Sequence, residues 1–325
     1  NHINITLTNM FSLLKSDFVP LHNPFEEYFT SLPKWDNSDD YILKLCQKIR
    51  CKDQERFNLH FKKMLVRTVA CALIDSVFNK QALILVHEKQ NSGKSTFCRW
   101  LCPPKLQDYI TENIGLDKDS MISLAENFII NLDELATLSK VEINHLKSVF
   151  SKVNVKIRRP YERKTIIVPR RASFIGSTNN GEFLTDYTGS VRWLCFEIDE
   201  IDWSYKSEID IDMVWSQAYS LWESNFKYEL SQDEIKDNEV ANKRFQITTP
   251  EMEIIQKYIE PGIKSEDEFM TASEVQEYIS RFYSSNIKIT HIGIGMALRK
   301  LGFVQEQQYR KPYQVKGYFI KKLPT

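Results

Sequence analysis

The sequence predicts an α/β protein with a mostly parallel sheet and flanking helices, followed by a small C-terminal α+β unit. Three observations carry this prediction. An apolar run, Ala82–Val86, leads through a polar loop into Gly93-Lys94-Ser95. A second, mostly apolar run at 128–132 ends in two adjacent carboxylates. Between 81 and 199, strand-like and helix-like patterns alternate, as a mostly parallel sheet requires.

The loop after the first apolar run has the composition of a phosphate-binding loop. Its residues are Gln90, Asn91, Ser92, Gly93, Lys94, Ser95 and Thr96. In such loops backbone N–H groups face the phosphates, a lysine adds positive charge, and a hydroxyl binds Mg²⁺. We therefore predict that these residues bind ATP and that Ser95 is a metal ligand. The alternative is a chance Gly-Lys-Ser in a turn. Glu88 stands where the usual pattern has its first glycine, so its side chain must turn away from the phosphates.

The second apolar run is followed by Asp133 and Glu134. In phosphate-loop ATPases such a pair divides the work, because the aspartate holds Mg²⁺ and the glutamate orients and deprotonates the attacking water. We predict that Asp133 shares the metal with Ser95 and that Glu134 is the general base. An ordinary strand followed by a helix cap is the alternative, since aspartate is a good N-cap.

Two more residues are predicted to serve the phosphates. Asn179 follows a predicted strand at 172–178, and we expect its amide to contact the γ-phosphate or the attacking water. A plain Asn-Asn-Gly turn is compatible with the same residues. Arg192 lies just beyond a turn, at the start of the strand 193–198. We predict that it reaches the γ-phosphate of a neighbouring subunit, with a structural arginine at the sheet edge as the alternative.

A basic segment lies between the acid pair and Asn179. β-Branched residues at 153–157 and 165–168 predict two strands with a turn between them. A hairpin tipped with arginine, tyrosine and lysine can follow a sugar–phosphate backbone and stack on a base. The residues predicted to contact single-stranded DNA are Lys156, Arg158, Arg159, Tyr161, Arg163 and Lys164. A solvated charged face is the alternative.

The remaining patterns divide the chain into four predicted segments. These are a helical lead-in (1–79), a P-loop ATPase core with the basic hairpin (80–200), a helical extension (201–262) and a winged-helix-like domain (263–325). The first 35 residues are expected to be loop-rich and peripheral. The second helix of the lead-in carries a buried stripe at Phe57, Phe61, Leu65, Val69, Leu73 and Val77.

The tail is predicted to begin after a linker at 261–268. It reads as helix, helix and two strands, which is the outline of a winged helix-turn-helix. Its basic residues suit the phosphate backbone of duplex DNA, although many winged helices bind protein instead.

Composition narrows the class of protein. Lys and Arg number 43 and Asp and Glu also number 43, so net charge argues neither for nor against nucleic acid. The six cysteines form no Cys-x-x-Cys pair, which predicts core thiols in a reducing, cytoplasmic compartment. No apolar run reaches the length of a membrane span and no signal peptide is present, so no membrane partner is expected. Because the chain begins with Asn1, we expect it to be excised from a longer polypeptide.

Together these motifs resemble the virulence-associated protein E family, whose ATPase domain is related to superfamily 3 helicases of the AAA+ class. The resemblance covers roughly residues 22–260. It also rests on the lead-in Asn23-Pro24-Phe25 with Leu32-Pro33-Lys34-Trp35, and on Thr188-Gly189-Ser190-Val191-Arg192-Trp193 and Trp215-Ser216-Gln217-Ala218-Tyr219. It implies a homo-oligomeric, ring-shaped and hexameric DNA-dependent ATPase of a phage, plasmid or integrated element. Such domains often follow a primase-like region.

The leading hypothesis is therefore a helicase that couples ATP hydrolysis to movement along single-stranded DNA. The family usually has two arginines after its Gly-Asn, and Val191 takes the place of the first. With Glu88, this departure motivates an alternative, a nucleotide-gated DNA-binding switch that hydrolyses ATP weakly or not at all. A small-molecule kinase fits the loop but leaves Asp133, Glu134 and the basic segment without a role.

Overall fold

The computed structural model describes residues 5–14, 16, 18–19, 22–112, 114–115, 117, 119–133, 135–138, 140–158, 164–184, 190–283 and 288–324. The chain forms two compact units. The first contains residues 1–181 and 189–242, and the second contains residues 182–188 and 243–325.

The first unit combines a central sheet with helices and one separate hairpin. Its strands are β1 (Ile49–Cys51), β2 (Ala82–Val86), β3 (Ile110–Glu112), β4 (Ile129–Leu132), β5 (Asn154–Ile157), β6 (Ile166–Pro169), β7 (Ser173–Thr178) and β8 (Trp193–Ile201). Its helices are α1 (Leu7–Leu14), α2 (Pro24–Ser31), α3 (Tyr41–Gln47), α4 (Gln54–Leu73), α5 (Lys94–Trp100), α6 (Asp119–Glu126), α7 (Lys140–Phe150), α8 (Tyr205–Glu208), α9 (Ile211–Glu223) and α10 (Gln232–Asn242).

The central sheet is mostly parallel, as the sequence predicts. Among the described residues its six strands run in the order β1-β8-β2-β7-β4-β3. Only the edge strand β1 of this set pairs antiparallel, with β8. Every residue of β2, β4 and β7 is buried, which is typical of parallel strands covered by helices on both faces. Because β2, β7 and β4 are parallel neighbours, their carboxyl ends lie next to one another at the same end of the strands.

The long helix α4 places the predicted stripe in the core. Phe57, Phe61, Leu65 and Val69 are buried in the same apolar cluster as Leu83 of β2. Each fully buried side chain of this kind contributes about 1.5–3 kcal/mol. The stripe ends earlier than predicted. Ile74 takes an extended backbone conformation and terminates the helix, so Val77 lies beyond it.

The prediction of a loop-rich, peripheral N-terminal segment is wrong for residues 24–31, which form the buried helix α2, whereas α1 buries none of its residues and is peripheral as predicted. The Asn23 side chain accepts hydrogen bonds from the backbone N–H groups of Phe25 and Glu26, and Pro24 occupies the first turn of α2, so capping chemistry starts a helix here. Phe25, Tyr28 and Phe29 recur at helical spacing and are buried in the core. Phe25 and Phe29 pack against Phe128, and Phe29 also packs against Trp215.

The basic segment forms the predicted hairpin. β5 and β6 pair antiparallel, with Asn154 opposite Pro169 and Ile157 opposite Ile166. Val155 and Ile157 are buried, whereas Lys156 between them is exposed. The predicted turn at 159–163 lies outside the described residues.

The second unit packs helices against an antiparallel sheet. Its elements are α11 (Pro250–Tyr258), β9 (Ile259–Pro261), β10 (Glu268–Met270), α12 (Ala272–Ile279), α13 (His291–Lys300), β11 (Glu306–Arg310) and β12 (Tyr313–Lys322). The order α12, α13, β11 and β12 reproduces the helix, helix and two strands predicted for the tail. β12 pairs antiparallel with β9, β10 and β11.

The linker predicted at 261–268 is wrong, because β9 and β10 pair with the same strand, β12. The segment between them is a turn in which the backbone N–H of Ile263 donates to the carboxylate of Asp267 at 2.7 Å. Pro261 ends β9, and Gly262 and most of the charged run lie in this turn. Glycine, proline and charged residues are common both in turns and in linkers. The predicted boundary between 262 and 263 therefore falls inside the second unit.

The surroundings of the cysteines and the lengths of the helices bear on two predictions drawn from composition. All six cysteines are buried and free, as predicted for core thiols. No helix in the described part of the chain combines the length and apolarity needed to cross a bilayer.

Candidate functional site

The loop between β2 and α5 has a special backbone conformation. Asn91 and Gly93 have positive φ angles of 60° and 88°. Gly93 is also sterically required, because a Cβ atom there would lie 2.7 Å from Cζ2 of Trp203. Asparagine and glycine are the residues that adopt this region most readily. The local sequence therefore explains why the loop can turn tightly before Lys94.

This loop forms one wall of a cleft of about 660 Å³, a volume typical of small-molecule sites. The cleft lies at the carboxyl edge of the sheet, where open parallel sheets bind ligands. Its lining residues are Gln90, Asn91, Ser92, Gly93, Lys94, Ser95, Thr96, Arg99, Asp133, Thr137, Ser177, Thr178, Asn179 and Trp203. Glu88 is exposed, and the loop part of the lining begins at Gln90.

The Lys94 ammonium is held by its own loop. It donates to the carbonyl oxygens of His87 and Lys89 at 3.1 and 3.2 Å and to the hydroxyl of Ser92 at 2.9 Å. The residue is only 5% exposed, and this burial lowers the pKa of Lys94 because desolvation disfavours the charged form. Hydrogen bonds to the loop carbonyl oxygens offset part of the desolvation cost of the ammonium, so the Lys94 cation is positioned beside the cleft.

Ser95 and Asp133 meet across the cleft. The Ser95 hydroxyl donates to Oδ1 of Asp133 at 2.6 Å, and the Ser177 hydroxyl donates to the same oxygen at 2.8 Å. The two hydroxyl oxygens are 3.0 Å apart. The loop, the end of β4 and the end of β7 thus contribute one cluster of oxygen atoms.

This convergence depends on a close approach of β7 to β4. A Cβ atom at Gly176 would lie 2.6 Å from the carbonyl oxygen of Leu132 and 2.9 Å from the Cβ of Leu132. Any other residue at 176 would push the strands apart. Glycine at this position therefore lets Ser177 reach Asp133.

A second carboxylate adjoins the cluster through Arg99. Its guanidinium donates from Nη2 to Oδ2 of Asp133 at 3.0 Å and from Nε to Oε1 of Glu112 at 2.7 Å. The amide of Asn131 donates to the other oxygen of Glu112 at 2.8 Å. The hydrogen bond to Glu112 is the main cause of the raised pKa of Arg99. Arg99 therefore bridges two carboxylates at the carboxyl ends of the neighbouring strands β3 and β4.

The oxygen cluster fits Mg²⁺. This ion prefers hard oxygen ligands and is usually bound by one or two carboxylates, with nucleotide phosphates and water filling the other positions. Ser95 and Asp133 supply one hydroxyl and one carboxylate. Among the residues whose positions are described, no group of three or more His, Cys, Asp or Glu side chains could hold a metal ion.

The structure places the other predicted catalytic residues in different ways. Asn179 lines the cleft with Ser95 and Asp133. Glu134 lies outside the described residues. Arg192 lies at the amino-terminal ends of the strands, away from the cleft, because its neighbour Trp193 pairs with Ala82 at the start of β2. Its Nε and Nη2 atoms each donate to the Ser151 hydroxyl at 3.2 Å.

The predicted DNA-binding residues are partly described. Lys156, Arg158 and Lys164 are exposed on or beside the hairpin, whereas Arg159, Tyr161 and Arg163 lie outside the described residues. Two arginines that follow β6 have structural partners instead. Arg170 is fully buried and donates to four backbone carbonyls, and Arg171 pairs with Asp75.

Sequence reasoning missed several residues of the site, and four of them matter most here: Arg99, Glu112, Ser177 and Trp203. Glu112 and Ser177 lie at the carboxyl ends of parallel strands, and Trp203 follows shortly after another such end. Ligands of these sheets bind beyond those strand ends. Glu112, Ser177 and Trp203 could therefore have been predicted from their positions at strand ends. Arg99 lies one helical turn after Ser95, and nothing in its sequence context distinguishes it.

The sequence of this chain is similar to that of a known protein family. A family model described as a virulence-associated protein E-like domain matches residues 29–247, more than half of the 325 residues. No protein with a curated description matches the sequence.

Solved structures offer a further comparison. The apo structure of the NrS-1 C-terminal region (305-718) aligns with a TM-score of 0.51 and 12% identity, over 90% of this chain and 78% of that one. One A-form apo structure of the same region aligns with a TM-score of 0.48 and 11% identity, over 90% of this chain and 78% of that one. Another A-form apo structure aligns with a TM-score of 0.46 and 12% identity, over 93% of this chain and 80% of that one. At 12% identity the first likeness concerns the fold alone.

Proposed function

The chain belongs to the virulence-associated protein E-like family, and we propose that it is a Mg²⁺-dependent P-loop ATPase acting on single-stranded DNA. The observation that carries the proposal is the contact between the Ser95 hydroxyl and the Asp133 carboxylate at 2.6 Å, inside a cleft lined by the loop 90–96. The order β2-β7-β4 supports it, since the strand between the loop strand and the acid strand brings Asn179 into the same cleft.

Nucleotide binding begins with Lys94 and the loop. Lys94 exchanges the carbonyl oxygens of His87 and Lys89 for phosphate oxygens, which carry full negative charge and form stronger hydrogen bonds. Backbone N–H groups of the loop face the phosphates. The buried position of Lys94 strengthens its attraction to the phosphates, because less water screens it.

Ser95 and Asp133 would hold Mg²⁺, which supplies Lewis-acid stabilisation of charge on the phosphate oxygens when bound. Ser177 orients the Asp133 carboxylate through its hydrogen bond to Oδ1. Asn179 positions the attacking water beside the γ-phosphate, and Glu134 takes its proton.

The DNA-dependent step rests on the basic hairpin and on a neighbouring subunit. Lys156, Arg158 and Lys164 present positive charge to the sugar–phosphate backbone. Arg192 supplies charge to the site of a second copy. We further propose a ring of subunits in the replication of a mobile element, which is what the resemblance to superfamily 3 helicases implies.

One observation favours a second candidate, a nucleotide-gated DNA-binding switch with little or no hydrolysis. Oδ2 of Asp133 is bound by Arg99, so one oxygen of the predicted metal ligand is engaged by a protein cation. If Arg99 keeps this position when ATP binds, the metal is held weakly and turnover is slow.

Phosphate release from MgATP, measured with and without single-stranded DNA, tests both candidates. The ATPase predicts turnover that DNA increases, and its loss in Lys94→Ala and Asp133→Asn. Lys89→Ala is the matched control, because this exposed loop lysine contributes only its backbone carbonyl to Lys94. Nucleotide binding with no DNA-stimulated turnover would favour the switch. A chain that binds no MgATP would overturn both candidates.

A further inference from the structure

A half-exposed tryptophan stands at the end of the cleft away from Asp133. Trp203 follows β8, which flanks β2 on one side, while β7 and β4 lie on the other. It lines the same cleft as Ser95 and Asp133. Its side chain is large and apolar, yet Trp203 is 48% exposed.

The position of the indole is fixed by its neighbours. Asp202 accepts from the backbone N–H of Ser204 at 3.0 Å and from the Lys48 ammonium at 3.1 Å. These contacts, the first being the larger cause, lower the pKa of Asp202 to about 2. Tyr205 is buried, and its ring lies nearly parallel to that of Trp203 at 6.4 Å. The turn that carries Trp203 is therefore well anchored on both sides.

The indole packs against the phosphate-binding loop with one face, near its Cζ2 corner. Its Cζ2, Cη2 and Cε2 atoms lie 2.7, 3.0 and 3.3 Å from the position that a Cβ atom would take on Gly93. This contact covers only the Cζ2 corner of one face, and Trp203 stays 48% exposed in the lining of the cleft, so ring surface is left for another planar group. The exposed ammonium of Lys206 lies 4.7 Å from the ring centroid and can move aside on its flexible side chain.

The direction of a bound nucleotide follows from the two ends of the cleft. If the terminal phosphate and the metal lie at Ser95 and Asp133, the nucleoside must extend the other way across Gly93. We propose that Trp203 is the stacking platform for the nucleobase. This inference rests on the proposed function, because it takes its ligand from the ATP site.

Stacking also sets the selectivity of the site. An aromatic face attracts any base, and the attraction grows with the area of the base. The site should therefore prefer purine over pyrimidine nucleotides and should discriminate only weakly between adenine and guanine.

The test compares a ligand that has a base with one that has none. Calorimetric titration of the full chain with MgATP and with Mg²⁺ tripolyphosphate measures both affinities. Trp203→Ala should weaken MgATP binding by roughly 5- to 150-fold and leave tripolyphosphate binding unchanged. Trp203→Phe should restore most of the affinity for MgATP, because it keeps an aromatic face.

Other outcomes are equally informative. Equal loss of MgATP and tripolyphosphate binding in Trp203→Ala would overturn the proposal, since Trp203 would then only support the loop at Gly93. Unchanged MgATP binding would overturn it too. A wild-type chain that binds neither ligand would refute the ATP site itself, which is a different failure. Quenching of tryptophan fluorescence by MgATP should vanish in Trp203→Phe and persist in Trp222→Phe, the control outside the cleft.

Discussion

Arg99 joins two carboxylates at the carboxyl ends of neighbouring strands, Glu112 and Asp133, and it occupies one oxygen of the predicted metal ligand Asp133. The side chain of Arg99 is 48% exposed. Ion pairs of this exposure contribute only about 0–1 kcal/mol to folding. The arrangement is therefore better explained by the charge of the free site, where Arg99 balances Asp133 and Glu112, than by stability.

Arg99→Gln should lower the Mg²⁺ concentration needed for half-maximal ATP binding, by roughly fivefold or less. The reason is that Asp133 loses a competing cation while its contact with Ser95 remains. Titration of Mg²⁺ at fixed ATP measures this concentration. Ser95→Ala is the contrasting variant and should raise it. A higher Mg²⁺ requirement in Arg99→Gln would show that Arg99 contacts the nucleotide instead.

His60 makes folding sensitive to acid. It is 2% exposed, and burial lowers its pKa to about 4, whereas an unfolded histidine titrates near pH 6.5. Between these values the unfolded chain binds a proton that the folded chain does not, so stability is complete above pH 6.5 and falls as the pH drops toward 4. The loss should reach roughly 3 kcal/mol.

Urea unfolding of the wild type and His60→Leu at pH 7 and pH 4.5 measures this effect. The difference in unfolding free energy between the two pH values should be smaller in His60→Leu, whatever its stability at pH 7. His22→Gln removes an exposed imidazole and serves as the control. An identical pH dependence in wild type and His60→Leu would contradict the assignment.

Residues of the site were predictable where their role depends on local sequence. Gly93, Lys94 and Ser95 form a recognisable string, and Asp133 ends an apolar strand. The partnership of Ser177 with Asp133 was not predictable, because it requires β7 to lie beside β4, and strand order is a property of the whole sheet. Residues far apart in sequence meet only once that order is known.

At the scale of elements, capping residues and periodicity predicted most helices and strands. Ser231 and Glu234 exchange the hydrogen bonds of a capping box at the start of α10, and Thr271 and Glu274 do so at α12, as their spacing indicates. Predictions failed for segments whose amino-acid composition is compatible with two different structures, such as the predicted linker at 261–268. Short strands such as β9 and β10 are stabilised by pairing with a distant partner, β12, which local patterns do not reveal.

The hairpin β5–β6 is anchored at its base and charged toward its turn. Arg170 follows β6 and donates to the carbonyl oxygens of Val149, Phe150, Asn79 and Ala172. Lys156 and Lys164 are exposed instead. The element therefore separates its basic residues into one that holds the hairpin in place and others that are available to a ligand.

Replacing Lys156 and Lys164 together by alanine should weaken binding of single-stranded DNA and reduce the slope of log affinity against log salt by about 0.7 per lost phosphate contact. Fluorescence anisotropy with a labelled oligonucleotide at several salt concentrations measures both quantities. The double variant Lys227→Ala with Lys236→Ala removes two exposed lysines outside the hairpin and is the matched control. Equal affinity and slope in wild type and hairpin variant would leave this element a solvated surface.

At the scale of the whole molecule, the position of Arg192 decides how the predicted site can be completed. Trp193 pairs with Ala82, so Arg192 lies level with the start of β2, while the loop follows its end at Val86. At about 3.3 Å per residue, the length of β2 places roughly 16 Å between them. An arginine side chain does not span this distance. Arg192 can therefore act on a γ-phosphate only if that phosphate is bound by another copy of the chain.

This geometry predicts complementation between two inactive variants. Lys94→Ala lacks nucleotide binding but keeps Arg192, whereas Arg192→Ala keeps the nucleotide site and lacks the arginine. In a randomly mixed homo-oligomer, about a quarter of the interfaces pair an intact site with an intact arginine. An equal mixture should therefore recover roughly a quarter of the wild-type ATPase rate, while each variant alone stays inactive. Light scattering with ATP and DNA present verifies that oligomers form, and co-purification of an untagged variant with its affinity-tagged counterpart verifies that they mix. If they form and the mixture stays inactive, or if Arg192→Ala alone is fully active, Arg192 is a structural partner of Ser151 and the active site is complete within one chain.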